Sequence, residues 1–228
     1  MHSLVSRAAV FAALTTLLAL ASSPAMAHID LTAPGIAGTR QILNFQVGHG
    51  CAGDDTVRIE IRLPTEITSV RAVPWQFGTA EVQRNAADVP VAVVWTKTDA
   101  APSDDQLYTV SLRVTVPDMP FSTLYFPAIQ TCRSASGVET VAEWIGLPGD
   151  PDEPAPALRI LPRRFPGWNR YTVPAAITSL SIFDDAEIVW QGDAAYSSNP
   201  AIMALIESEP GVSVLTEVVP GADVWVRY

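Results

Sequence analysis

The sequence predicts a mainly β protein: a β-sandwich followed by a small α+β appendage. Two observations lead there. Short runs of alternating apolar and polar residues recur through residues 28–162, broken at intervals by proline and glycine. Only one segment, near residue 200, carries both helix-start and helix-stop signals.

In chain order, a leader comes first. Residues 1–27 hold one charged residue, Arg7, an apolar run from Ala8 to Leu20, and the small-x-small triplet Ala25-Met26-Ala27. That pattern is a secretory signal peptide. Cleavage after Ala27 would begin the mature protein at His28 and place it in the periplasm or outside the cell. No later apolar run approaches the roughly 18–20 residues that span a membrane, so the processed protein is expected not to cross one.

Residues 29–31 and 41–47 are the first strand candidates. In residues 56–63, Val57, Ile59, Ile61 and Leu63 alternate with Arg58, Glu60 and Arg62, as a half-buried strand requires. Residues 67–73 and 91–97 follow. Residues 107–116 alternate again, Leu112, Val114 and Val116 against Arg113 and Thr115. Residues 123–130, 140–145 and 157–161 complete the series. The breaks fall at Pro34-Gly35, Pro64, Pro74, Pro90, Pro117, Pro120 and Pro148-Gly149. The proline-rich, acidic residues 149–156 read as a surface turn or linker.

Residues 163–228 change character. Asn199 caps a helix with Pro200 at its first position; Ile202, Leu205 and Ile206 follow at helical spacing, and Pro210-Gly211 ends it. Strand candidates around it are residues 176–183, 187–190, 212–218 and 222–227. A unit of roughly 66 residues has a marginal core of its own, so it is expected to pack on the sandwich.

Composition limits the partners. The chain carries 14 Lys+Arg against 24 Asp+Glu, a formal net charge of −10. Loss of Arg7 with the leader makes it one unit more acidic. Such a surface repels nucleic acid and anionic lipid. The two cysteines, Cys51 and Cys132, would meet an oxidising compartment after export, where an isolated pair bonds. Their separation fits neither a redox Cys-x-x-Cys motif nor close metal-ligand spacing.

The functional reading centres on His28. At a mature N-terminus it offers two nitrogens, the α-amine and ring Nδ1, which together chelate a metal ion. Cu(II) heads the affinity order for such nitrogen sites. The other histidine downstream of the leader, His49, stands in Val47-Gly48-His49-Gly50-Cys51. It reads either as a solvated or structural loop residue or as a second ligand, if the disulfide holds its loop near His28. The six tryptophans, at 75, 95, 144, 168, 190 and 225, are expected mostly in the core; Trp144 lies on a strand that can reach the N-terminus. The acidic pairs Asp54-Asp55, Asp104-Asp105 and Asp184-Asp185 read as solvated turns, since no EF-hand pattern surrounds them. Met119 and Met203 do not make a Met-rich Cu(I) site. No Gly-x-Ser-x-Gly elbow or glycine-rich phosphate loop is present.

Several segments, in order, resemble the YcnI-type copper-binding domain. They are Ala27-His28-Ile29-Asp30-Leu31-Thr32-Ala33-Pro34, Val47-Gly48-His49-Gly50-Cys51, the run from Leu124 to Cys132, Trp144-Ile145-Gly146-Leu147-Pro148, and Glu153-Pro154-Ala155-Pro156-Ala157-Leu158. The resemblance covers residues 28–162. It implies an immunoglobulin-like all-β fold, export, and Cu(II) held by the N-terminal histidine with a carboxylate and a nearby tryptophan. His28 matches the chelating histidine and Trp144 the site tryptophan. Where the family's ligating glutamate stands, this chain has Gln41, beside Arg40. His49 is then the residue to supply the missing donor, with Asp30 as a substitute on a regular strand. Residues 163–228 lie outside the resemblance. The expectation is an exported, non-catalytic protein that binds Cu(II) through His28, Gln41, His49 and Trp144. It would buffer copper or pass it to other periplasmic or membrane copper-handling proteins. The alternatives are a copper oxidase or oxygenase using His28 and His49, and a metal-free periplasmic interaction module.

Overall fold

The computed structural model describes residues 28–74, 78–97 and 106–228. The proposed leader, Trp75 and Asp104-Asp105 lie outside them.

Among the described residues, twelve strands occupy the region up to residue 161. They are β1 (Ile29–Leu31), β2 (Gly35–Ile36), β3 (Arg40–Val47), β4 (Asp55–Arg62), β5 (Thr68–Ala72) and β6 (Thr79–Arg84). β7 (Pro90–Thr96), β8 (Tyr108–Thr115), β9 (Thr123–Tyr125), β10 (Ala128–Arg133), β11 (Glu139–Trp144) and β12 (Ala157–Leu161) follow. One sheet has the order β1-β3-β8-β5 and a second β11-β10-β4-β7-β6; β2-β12-β9 form a third, smaller sheet. The two large sheets are antiparallel throughout. This is an immunoglobulin-like sandwich. Its core joins Leu43, Phe45, Val110, Leu112 and Val114 of the first sheet to Ile59, Ile61, Val93, Trp95 and Trp144 of the second. Phe45 meets Phe126 edge-on at 5.4 Å between ring centroids.

The alternation read from residues 56–63 and 107–116 marks the buried faces: Val57, Ile59 and Ile61, and Leu112, Val114 and Val116, are all buried. Three local expectations are refined. Residues 123–130 form two strands, because Phe126-Pro127 turns the chain between the small sheet and the second large one. The short β2 and the polar β6 escape a hydrophobic pattern. Residues 146–155 fold back tightly rather than trailing as a linker. Gly146 N–H donates to Glu153 O at 2.7 Å, and Ala155 N–H to Gly146 O at 2.9 Å. A Cβ at Gly146 would collide with the Asp152 carbonyl oxygen.

The C-terminal sheet contains β13 (Trp168–Thr172), β14 (Ile188–Gln191), β15 (Ala194–Tyr196), β16 (Ser213–Val214) and β17 (Asp223–Arg227), in the order β13-β17-β14-β15-β16. Helix α1 (Pro200–Ser208) begins where the sequence predicts: the Asn199 side-chain oxygen accepts from Ala201 N–H at 2.9 Å. The expected strand at 176–183 is instead a single bridge, Ile177 to Val218, and a 3₁₀ turn over Leu180–Phe183. That turn buries Leu180 and Phe183 in a separate cluster with Val189, Val224 and Val226. The expected strand at 212–218 shortens to β16. Phe121 of the sandwich region packs on Tyr171 and Phe183, at 5.6 and 5.8 Å. Arg163 donates to the carbonyls of Ala37 and Gly38. Phe121 and Arg163 thus join the appendage to the sandwich.

Two of the appendage tryptophans are not core. Trp168 is 50% and Trp225 45% exposed, and Trp190 is half-buried. They alternate with the buried Asn169, Val189, Val224 and Val226, so strand geometry puts them on the outer face. Leu205 of α1 is also exposed, leaving Ile206 as the helix's buried residue.

Replacing Asn199 by Ala removes the cap, and stability measured by urea unfolding should fall by about 1 kcal/mol, whereas Asn199→Ser should be near neutral. Equal effects of the two variants would show that the cap contributes nothing.

Candidate metal centre

The first strand decides what surrounds His28. β1 pairs antiparallel with the far end of β3, Ile29 opposite Val47 and Asp30 opposite Gln46. Ile29 and Val47 are buried. With a two-residue period, His28 and Asp30 share the outward face. Continued by one residue, the register sets His28 opposite Gly48, the residue before His49. A cavity of about 290 Å³ forms here, lined by His28, Asp30, Gln46, Gly48, His49 and Leu107.

Trp144 stands next to His28. It ends β11, paired with Ala128, and is 2% exposed. Its ring lies 5.2 Å from the His28 ring, tilted by 45°. Its Nε1–H is buried with no hydrogen-bond partner among the described residues.

The His49 loop is anchored from below. Cys51 and Cys132 form a disulfide with their Cα atoms 5.7 Å apart. Cys51 N–H donates to Cys132 Sγ at 2.8 Å. The buried Gln130 side chain donates to His49 O at 2.9 Å and to Thr56 Oγ1 at 2.7 Å. The His49 ring places Nδ1 2.7 Å from Gly50 O. A carbonyl can only accept, so Nδ1 carries the proton in this contact. Histidines that ligate metals commonly have one ring nitrogen held by a backbone carbonyl in this way.

The structure thus brings His28, His49 and Trp144 together and adds Asp30, which lies on a regular strand. It does not bring Gln41. That residue stands near the opposite end of β3, paired with Val114, roughly 20 Å along the strand from the position facing His28 at ~3.3 Å per residue. Its Oε1 accepts from Ile36 N–H at 2.6 Å, so it braces the β2 turn. Gln46, not singled out from sequence, lines the cavity in its place. The antiparallel return of the chain after Leu31 was the signal that could have found it. Among the described residues, no three His, Cys, Asp or Glu side chains stand close enough together to hold a metal ion by themselves.

A family model described as "Domain of unknown function (DUF1775)" matches residues 28–160, from the first cavity residue to the last strand of the sandwich. The chain belongs to this family. YcnI-like proteins are DUF1775 members too. No curated protein matches the chain. Among solved structures, an uncharacterized protein from Nocardia farcinica, reported with an immunoglobulin-like fold, is 29% identical. The match covers 59% of this chain and 98% of that one, with a TM-score of 0.49. A DUF4466 family protein from Parabacteroides merdae is 10% identical over 78% of this chain and 54% of that one, with a TM-score of 0.21. At such TM-scores the fold assignment rests on this chain's own packed sheets.

The disulfide closes a loop with a sequence separation of 81 residues. Chain-entropy arguments give it about 4–5 kcal/mol. The double variant Cys51→Ser/Cys132→Ser should lose a large part of that in chemical denaturation, and thiol labelling of denatured, unreduced protein should find no free cysteine. Two reactive thiols would refute the pairing.

Proposed function

We propose that this DUF1775 protein is exported, is cleaved after Ala27, and binds one Cu(II) ion through the new N-terminus, buffering copper or passing it to other copper-handling proteins without turnover. The observation that carries the reading is the cavity shared by His28, Asp30 and His49, with the Trp144 ring 5.2 Å from the His28 ring. Three side chains with nitrogen or carboxylate donors face one space. The α-amine of a processed His28 adds a donor that no side chain supplies. Amine and Nδ1 of His28 would form the chelate, with one further donor drawn from the other cavity residues, His49 or Asp30. Donors of this kind suit Cu(II). Trp144 is a neighbour rather than a ligand, since its indole nitrogen keeps its proton. Its buried ring stands 5.2 Å from the His28 ring, close enough for copper bound there to quench its emission.

The pair of histidines on one cavity also favours a second reading, oxygen activation at copper. Oxygen uptake by the copper-loaded protein with a reductant distinguishes the two; a storage or transfer site shows none above free copper.

Protein carrying one extra residue before His28 turns the α-amine into an amide. Cu(II) affinity should then fall more than tenfold, over about 1.4 kcal/mol. Copper should quench Trp144 emission in the processed protein, and Trp144→Phe should remove that part of the quenching. Unchanged affinity after extension would put the site elsewhere.

His49→Ala and Asp30→Asn should each weaken Cu(II) binding more than Gln41→Ala. Binding should also weaken on acidification, because protons compete for the ligand nitrogens. Electron paramagnetic resonance should count one nitrogen fewer in His49→Ala; an unchanged spectrum would leave His49 a purely structural role.

A further inference from the structure

The chain is acidic, with 14 Lys+Arg against 24 Asp+Glu, yet four arginines gather in one place. Arg40, Arg71, Arg84 and Arg113 line a cavity of about 410 Å³ together with Ser69, Val70 and Pro90, and no acidic residue lines it. Sheet register produces the cluster. Arg71 of β5 and Arg113 of β8 are direct cross-strand partners. Arg40 of β3 faces Thr115, two residues along the same face of β8 from Arg113. Like charges set opposite each other weaken a strand pair, so folding alone does not favour this arrangement.

Six arginines outside the cavity are paired with carboxylates, and Arg159 and Arg163, which have none among the described residues, stand apart from each other and from the cluster. Arg58 and Arg62 hold Glu60, Arg133 holds Glu139, Arg164 holds Asp185, Arg170 holds Asp223 and Arg227 holds Glu187. Arg84 reaches Asp88 on its own hairpin at 3.6 Å. Arg40, Arg71 and Arg113 have no carboxylate partner among the described residues. The backbone under the cluster is also irregular. The β5–β8 register shifts between Thr68 and Arg71, and Ser69 has φ 56°, in the left-handed region that a non-glycine residue seldom enters. Bulges of this kind re-aim side chains and recur beside binding sites.

We propose that this cavity binds a small multivalent oxyanion, a compound carrying two or more clustered phosphate or carboxylate groups. Three unpaired guanidinium forks converging on one space match such oxygens in bidentate fashion. The volume suits a small molecule. The net charge of −10 opposes approach of an extended polyanion such as nucleic acid or an anionic membrane. The site is independent of the copper reading: Arg40 opens β3 and the His28 cavity adjoins its other end, roughly 25 Å away at ~3.3 Å per residue.

The test is calorimetric titration of the protein with inorganic pyrophosphate and with citrate at low ionic strength. Binding to one site with Kd below about 1 mM is expected for at least one anion, weakening as salt is raised. A preference for pyrophosphate assigns phosphate chemistry, and one for citrate assigns polycarboxylate chemistry. Arg113→Gln and Arg71→Gln should each weaken binding at least tenfold. Arg159→Gln makes the same charge change on an exposed residue outside the cavity and should leave binding unchanged. Thermal melting provides the folding control: Arg113→Gln relieves an opposed pair, so its Tm should hold or rise. Absence of binding by either anion at millimolar concentration would overturn the proposal. So would equal weakening by Arg159→Gln.

Discussion

Ile29 is buried between the sheets against Val47, and that one burial sets which way the first strand faces. A shift of one residue would turn Ile29 outward and His28 inward. Burial of an isoleucine is favourable by about 1.5–3 kcal/mol, enough to hold the register of a three-residue strand. His28 and Asp30 consequently share a face, and Gly48-His49 falls beside them. The sandwich core reaches the site as well, because Trp144 is a core residue whose ring lies beside that of His28.

The His49 loop shows how an oxidised cysteine pair organises polar chemistry nearby. The disulfide ties the end of the loop to β10, and Gln130 on the same strand holds the His49 carbonyl. The ring is then set by its neighbour's carbonyl. None of these contacts requires a metal. They reduce the freedom that a ligand would otherwise lose on binding one, the general benefit of a preorganised site.

Much of the sandwich was legible in the sequence, because its strands alternate: Val57, Ile59 and Ile61 against Arg58, Glu60 and Arg62 admit few other readings. The appendage was less so. Residues 176–183 are apolar enough for a strand, yet Leu180 and Phe183 are buried from a 3₁₀ turn. Burial of two side chains does not specify the backbone that delivers them. Trp168 and Trp225 looked like core residues on size alone. Their exposure follows from alternation with Asn169, Val224 and Val226 on a sheet that buries one face.

The sequence by itself determined the strand periods, the lone cysteine pair, the helix cap at Asn199 and the three residues, His28, His49 and Trp144, that end up as neighbours. These are local patterns or rare residue types, and they survive without knowledge of the fold. Tertiary structure alone decided which polar residues join them. Asp30 and Gln46 meet at the cavity, and Gln41 is carried to the far end of its strand, because antiparallel pairing exchanges near and far along a chain. The same pairing brings Arg71 against Arg113 from segments about forty residues apart. No linear pattern announces that contact, since register is set by what is buried on the opposite face.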